Sequence, residues 1–129
     1  DAMQGIEPFI PTDKKIEYLN KLLNVGFDTL DFGSFVSPKA VPQMRDTAMV
    51  LDGLDLSSTQ TRLLTIVANL RGAKEAAAFE QIRYLGYPMS VSETFQYKNT
   101  NKTIVDSLEE LAEISNICQI NGKENIKAV

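Results

Sequence analysis

The chain has 129 residues, 43% of them hydrophobic, and 13 Lys and Arg against 17 Asp and Glu give a formal charge of −4. This is the length of one domain or part of one, with a globular composition, no apolar run near the ~18 residues of a membrane span, and no basic block to suit nucleic acid. One cysteine excludes an intrachain disulfide, and the absence of histidine excludes a Ser-His-Asp triad, a Cys-His pair and any His-ligated metal site built from this chain alone.

The opening residues, Asp1-Ala2-Met3-Gln4-Gly5, form neither a signal peptide nor a natural start, so the expectation is a processed chain or a fragment. Cysteine usage points to a reducing compartment, the cytoplasm, unless an organellar targeting segment has been removed.

Pro11-Thr12 opens a helix whose apolar residues Ile16, Leu19 and Leu23 recur at spacings of three and four, and Gly26 stops it. Phe27–Phe32 reads as a strand and Gly33–Lys39 as a loop. Pro42 suits the first turn of a second helix, with Val41, Met44, Ala48 and Leu51 as its buried stripe. Leu63–Ala68 is a nearly continuous apolar run, as in a strand covered on both faces. Asn69 caps a helix through about Ala78. A further strand lies within Ile82–Val91, although Pro88 cannot donate to a ladder. Ser92–Lys102 reads as polar loop. Thr103 and Asp106 form a capping box for a helix whose face is traced by Ile104, Leu108, Leu111, Ile114 and Cys118. Asn121-Gly122 closes it, and Ile126–Val129 begins another strand.

Strands alternating with helices predict a parallel α/β sheet. Three strands near 27–33, 63–68 and 82–91 should be parallel neighbours in chain order, with the helices on one side. Such a sheet leaves open edges and makes better sense as part of a larger α/β barrel, unstable or self-associating by itself.

Ser34-Phe35-Val36-Ser37-Pro38-Lys39-Ala40-Val41-Pro42-Gln43-Met44 resembles the loop after the second strand of 3-hydroxy-3-methylglutaryl-CoA lyases. Asp1-Ala2-Met3-Gln4 is similar to that family's Arg-Asp-Gly-Leu-Gln signature without its Arg. Asn69-Leu70-Arg71-Gly72 resembles its Asn-Leu-Lys-Gly turn, and Ser92-Glu93-Thr94-Phe95 with Asn99 and Asn101 resembles the loop after its fourth strand. The resemblance spans nearly all of the chain. It implies a (β/α)₈ TIM barrel of which residues 1–129 are the N-terminal half, with the matched loops on the C-terminal face where such barrels hold active sites.

The resemblance implies a lyase that cleaves 3-hydroxy-3-methylglutaryl-CoA into acetyl-CoA and acetoacetate with a divalent cation, Mg²⁺ or Mn²⁺. Asp1 matches its metal-ligand aspartate. Asp31 stands where the family has a glutamate, one methylene longer, and with Gln4 is assigned to catalysis. Ser34, Asn69, Ser92, Glu93 and Asn99 are assigned to substrate binding, and Asp1, Gln4, Asp31, Asn69 and Glu93 should meet at one end of the sheet.

Lys98, Asn99 and Lys102 form a small rim suited to the phosphates of an acyl-CoA. Lys39 reads as a solvated charge, and Cys118 as apolar packing. The partners implied are the acyl-CoA substrate and the remainder of the barrel, neither nucleic acid nor membrane, with room for a homodimer of the intact protein. Two other readings stand beside this one: a condensing relative of the isopropylmalate or homocitrate synthase kind, and a small non-catalytic α/β interaction module.

Overall fold

A computed structural model describes residues 2–128, with side chains as far as Ile126. Its sheet has four strands, β1 (Thr29–Phe35), β2 (Arg62–Val67), β3 (Ile82–Pro88) and β4 (Glu124–Ala128), in the spatial order β1-β2-β3-β4. All three pairings are parallel. The expected neighbours are therefore neighbours, and the strand read from Ile126 begins two residues earlier, at Glu124.

Partners in a parallel ladder share a face, so the register separates the two sides of the sheet. Leu30, Leu63 and Ile82 form one row, and Thr65 pairs with Leu85 on the same side. These strand residues, Thr65 apart, join Leu19, Leu23, Leu51, Ala76, Leu111 and Ile114 of the helices in one buried core. The opposite face carries the rows Asp31–Leu64–Tyr84–Glu124 and Ser34–Ile66–Gly86–Ile126. None of those residues belongs to the core shared with the helices. The helices cover one side, as the crossover rule requires.

Helix α1 (Thr12–Leu23) buries Leu19 and Leu23, and the chain leaves it through Gly26 at φ +84°, where a side chain would be strained. Strand β1 starts two residues later than the sequence suggests and runs on through Phe35, taking in Gly33 and Ser34, where the sequence predicts loop. A register shift between Asp31 and Gly33 accommodates the extra length.

The helix expected from Pro42 is broken in two. A 3₁₀ turn over Pro42–Met44 precedes α2 (Thr47–Asp52). At the break the Thr47 hydroxyl lies 2.8 Å from the Met44 carbonyl oxygen and 2.9 Å from that of Ser34, while the Asp46 carboxylate turns toward Thr12 and Lys15. Side-chain bonds replace the helical ladder there.

Helix α3 (Leu70–Ala77) follows β2, and the Asn69 side chain accepts the Gly72 N–H at 2.9 Å, the cap read from the sequence. The polar pattern of residues 92–102 predicts a loop, yet α4 (Glu93–Thr100) forms there, capped by Ser92 through the Phe95 N–H. The reason is legible in its burial: Gln96 is its one buried residue, so no apolar period marks it. Helix α5 (Ile104–Ile120) has the expected capping box of Thr103 and Asp106. Its buried face is Ser107, Leu111, Ile114 and Cys118. Leu108, placed in that stripe by spacing, is 50% exposed.

Gly72 sits where α3 meets the end of β1, and a Cβ added to it would collide with the Phe35 carbonyl oxygen, which is backbone and cannot step aside. Gly72→Ala is expected to lower stability by about 1–3 kcal/mol, in the range of overpacked sites. Denaturant unfolding of the variant checks this.

Candidate functional site

The segments that follow β1, β2 and β3 meet around a cavity of about 680 Å³ at the C-terminal edge of the sheet. Val36 and Ser37 come from the first, Ala68 and Asn69 from the second, and Met89 and Ser90 from the third, with Pro88 at the end of β3 itself. Helix α4 supplies Phe95, Gln96 and Asn99, and Gln4 comes from the N-terminal 3₁₀ turn over Ala2–Gly5. A cavity of this size, walled by apolar side chains with a few amides, suits a small organic ligand.

Three of the candidates therefore share this cavity: Gln4, Asn69 and Asn99. Two of the amides already serve the fold. Asn69 Oδ1 caps α3, and Asn99 Nδ2 donates to the Phe95 carbonyl at 2.9 Å. Ser92 and Glu93 lie at the same end of the sheet but outside the lining. Ser92 Oγ caps α4, and Glu93 Oε2 accepts the Ile104 N–H at 3.3 Å, joining α4 to α5.

Asp31 and Ser34 depart from the expected convergence. Asp31 is exposed within β1, four residues before the strand ends, and opens onto a second cavity of about 490 Å³ between the N-terminal segment and α1. Ser34 is buried beside a third void of about 70 Å³ near Met44 and Thr47, its hydroxyl without a hydrogen-bond partner among the described residues. Asp1, the metal-ligand candidate, lies outside the described residues.

Two polar residues that no local motif marks organise this end of the fold: Gln96 in the cavity lining, and Glu110 bonded to the lining residue Lys102. Gln96, 2% exposed, accepts the Ser90 N–H at 2.7 Å and donates through Nε2 toward Thr100 Oγ1 at 2.9 Å and Ser107 Oγ at 2.7 Å. Glu110 accepts from Tyr87 Oη at 2.9 Å and from the Leu70 N–H at 3.3 Å, and it pairs with Lys102. Lys102 Nζ also reaches the Ala68 carbonyl at 3.5 Å. Of the expected basic rim, Lys102 is thus neutralised by Glu110. A signal existed: Ser107 and Glu110 fall on the helix face that the α5 spacing reserves for apolar residues.

Burial raises the Tyr87 hydroxyl to about 12; the Ser107 hydrogen bond works against that rise, and the bond to Glu110 and its charge add to it. Burial also raises the Cys118 thiol, only partly offset by Lys123, in keeping with inert packing.

The cation implied by the resemblance does not fit these residues alone. The chain has no histidine. Among the described residues no three of the His, Cys, Asp and Glu type stand close enough to hold a metal ion. Asp31 and Gln4 line different cavities.

No family model matches the chain. It is 36% identical over 110 residues to the cytoplasmic 3-hydroxy-3-methylglutaryl-CoA lyase of Rattus norvegicus, covering 84% of this chain and 31% of that protein. It is 36% identical over 119 residues to the mitochondrial hydroxymethylglutaryl-CoA lyase of Gallus gallus, covering 90% and 38%. The chain is a relative of the hydroxymethylglutaryl-CoA lyases.

The solved lyase from Brucella melitensis matches with a TM-score of 0.91 at 32% identity, covering 98% of this chain and 44% of that one. The lyase from Acinetobacter baumannii, solved with coenzyme A and 3-methylmalate, matches with a TM-score of 0.88 at 32% identity, covering 98% and 41%. The four parallel strands and their helices therefore have the fold of part of a lyase TIM barrel. The chain spans about a third of the length of the curated lyases and under half of the solved ones. Among the described residues no helix is long and apolar enough to cross a membrane.

An acid whose folded value lies above its unfolded one keeps its proton longer when folded. For Tyr87 the effect on stability is level below pH 10, and stability then falls as the pH rises toward 12. The expected loss is about 2 kcal/mol. Absorbance titration of the four tyrosines, with and without Tyr87→Phe, checks both the late titration and the loss.

Proposed function

We propose that the intact protein is a carbon–carbon lyase that cleaves 3-hydroxy-3-methylglutaryl-CoA to acetyl-CoA and acetoacetate, with this chain forming the N-terminal part of its barrel. The observation that carries the reading is the cavity at the C-terminal strand ends, walled by Gln4, Ser37 and Asn69 from three of the segments that resemble the lyases. The related Acinetobacter baumannii lyase holds coenzyme A, which supports an acyl-CoA substrate here.

In this cleavage a base takes the proton of the tertiary hydroxyl. The bond between carbons 2 and 3 breaks, its electron pair passes to carbon 2, and the resulting enolate of acetyl-CoA is protonated. The groups this chain offers are amides and a carboxylate. Gln4 and Asn69 present polar atoms to the cavity, where each can orient a substrate oxygen. Asp31 stands on the sheet face that the helices leave uncovered, the face that becomes the interior when a barrel closes. Asp31 lines a different cavity from Gln4 and Asn69, so its part as the base is carried by its match to the family's glutamate, and Ser34 follows it along the same face.

Ser92, Glu93 and Asn99 act on the substrate through the wall they build, by capping α4, joining it to α5 and lining the cavity. A divalent cation belongs to this reading only with ligands from outside the described residues. A homodimer of the intact protein, and a cytoplasmic or other reducing compartment, complete the proposal.

Two outcomes test it. In the intact protein Asp31→Asn is expected to lower kcat for acetoacetate release by about 10²–10⁴-fold, the range for a lost general base. Turnover with acetyl-CoA and a 2-oxo acid instead would assign the protein to the condensing relatives. The 129-residue chain alone is expected to bind Mn²⁺ no more tightly than about 1 mM, measured by calorimetric titration, because Mg²⁺ and Mn²⁺ held by one carboxylate need further ligands.

A further inference from the structure

Gln4 reaches the cavity from a short turn, and the side chain that holds this turn comes from elsewhere. The Ile6 N–H donates to the Met3 carbonyl at 3.1 Å, closing the turn that contains Gln4. The Ile6 carbonyl in turn receives Gln43 Nε2, and Gln43 Oε1 accepts the Ile10 N–H at 3.3 Å. One amide, 8% exposed, thus bonds the segment at two points four residues apart.

Gln43 is itself fixed from behind. Lys15, 2% exposed, donates to the Gln43 carbonyl and lies 2.6 Å from Asp46 Oδ1. The second oxygen of Asp46 accepts from Thr12 Oγ1 at 2.7 Å. The Phe9 ring takes two cations, Lys15 Nζ at 4.3 Å and the Arg45 guanidinium at 3.7 Å from its centroid. A buried ion pair is a poor stabiliser compared with apolar packing of the same volume, but it is selective for one geometry. Here that geometry orients the loop after β1, whose residues Ser37, Ala40 and Val41 line the cavity together with Gln4.

We infer that Gln43, held by the Lys15–Asp46 pair, is a positioning residue: it fixes the segment before α1 so that Gln4 stands on the cavity wall. An amide is suited to this work because it offers a donor and an acceptor side by side, and neither a carboxylate nor a thioether can do both. The consequence for turnover rests on the lyase reading above; the placement of Gln4 does not.

The test uses the intact protein and the variants Gln43→Met, which keeps volume but loses both bonds, and Gln43→Glu, which keeps the acceptor for Ile10 and loses the donor to Ile6. In Gln43→Met, amide hydrogen exchange at Ile10 is expected to rise about tenfold or more, as for a bond opened locally without global unfolding. The Gln4 side-chain amide resonance should shift in both variants. Acetoacetate release should show kcat lowered about tenfold or more with KM changed less than about threefold, the pattern of a misplaced group rather than lost binding.

The deciding comparison is a cycle with Gln4→Ala. If Gln43 acts through Gln4, adding Gln43→Met to Gln4→Ala costs little further kcat; additive losses overturn the proposal. Unchanged exchange at Ile10, or an unmoved Gln4 resonance, also overturns it. Should Gln43→Met fail to fold, the Gln4 resonance and the cycle are read with Gln43→Glu. If the unsubstituted protein releases no acetoacetate, the lyase reading fails by itself, and exchange and resonance still decide the placement of Gln4.

Discussion

A parallel strand cannot reach its neighbour through a tight turn, and the rest of this molecule depends on that constraint. Each strand must be followed by a crossover that returns the chain to the starting edge of the sheet, so the exits from the three successive strands β1, β2 and β3 lie along one edge. Ser37, Asn69 and Ser90 are far apart in sequence, and parallel pairing alone makes them neighbours around one cavity. The helices formed by the crossovers pack on one face, which leaves the rows containing Asp31 and Ser34 facing the other way.

The edge that gathers the site also has to satisfy the polar groups collected there. The Leu70 N–H begins α3 without an intrahelical acceptor and finds Glu110 of α5. Glu110 pairs with Lys102 and also receives Tyr87 Oη from β3. Two helices and a strand are thus tied by one carboxylate beneath the cavity. Gln96 repeats the arrangement on the other side, joining Ser90, Thr100 and Ser107. The cavity floor is ordered by hydrogen-bond directions, which specify geometry more sharply than apolar contact does.

The pattern of what could be read from the sequence follows from the same physics. Elements with an apolar period or a cap were legible: α1 from Leu19 and Leu23, α3 from Asn69, and α5 from Thr103 and Asp106. Where side chains bond across the fold, local pattern failed. The Thr47 and Asp46 contacts interrupt the helix expected after Pro42, and α4 has no apolar stripe to announce it. For the site, the segments were legible and the partition among cavities was not. Asp31 and Gln4 were both drawn from the same family resemblance, but the register shift within β1 and the turn at Ala2–Gly5 assign them to different walls. Gln43 lies within the run that resembles the lyases, and nothing local marks its role, because its partners Ile6 and Ile10 are 37 and 33 residues away.

The polar character of α4 bears on how such a protein can change its ligand. Phe95 and Tyr97 are exposed, and Gln96 is the helix's single buried residue. Most side chains on this wall therefore lie outside the packing that holds the sheet and its helices together, where substitutions usually alter stability little. Mutations that reshape the cavity from this side are consequently separable from mutations that threaten folding. Substitutions at Phe95, which is exposed and lines the cavity, can therefore change its outline while Gln96 keeps the helix seated.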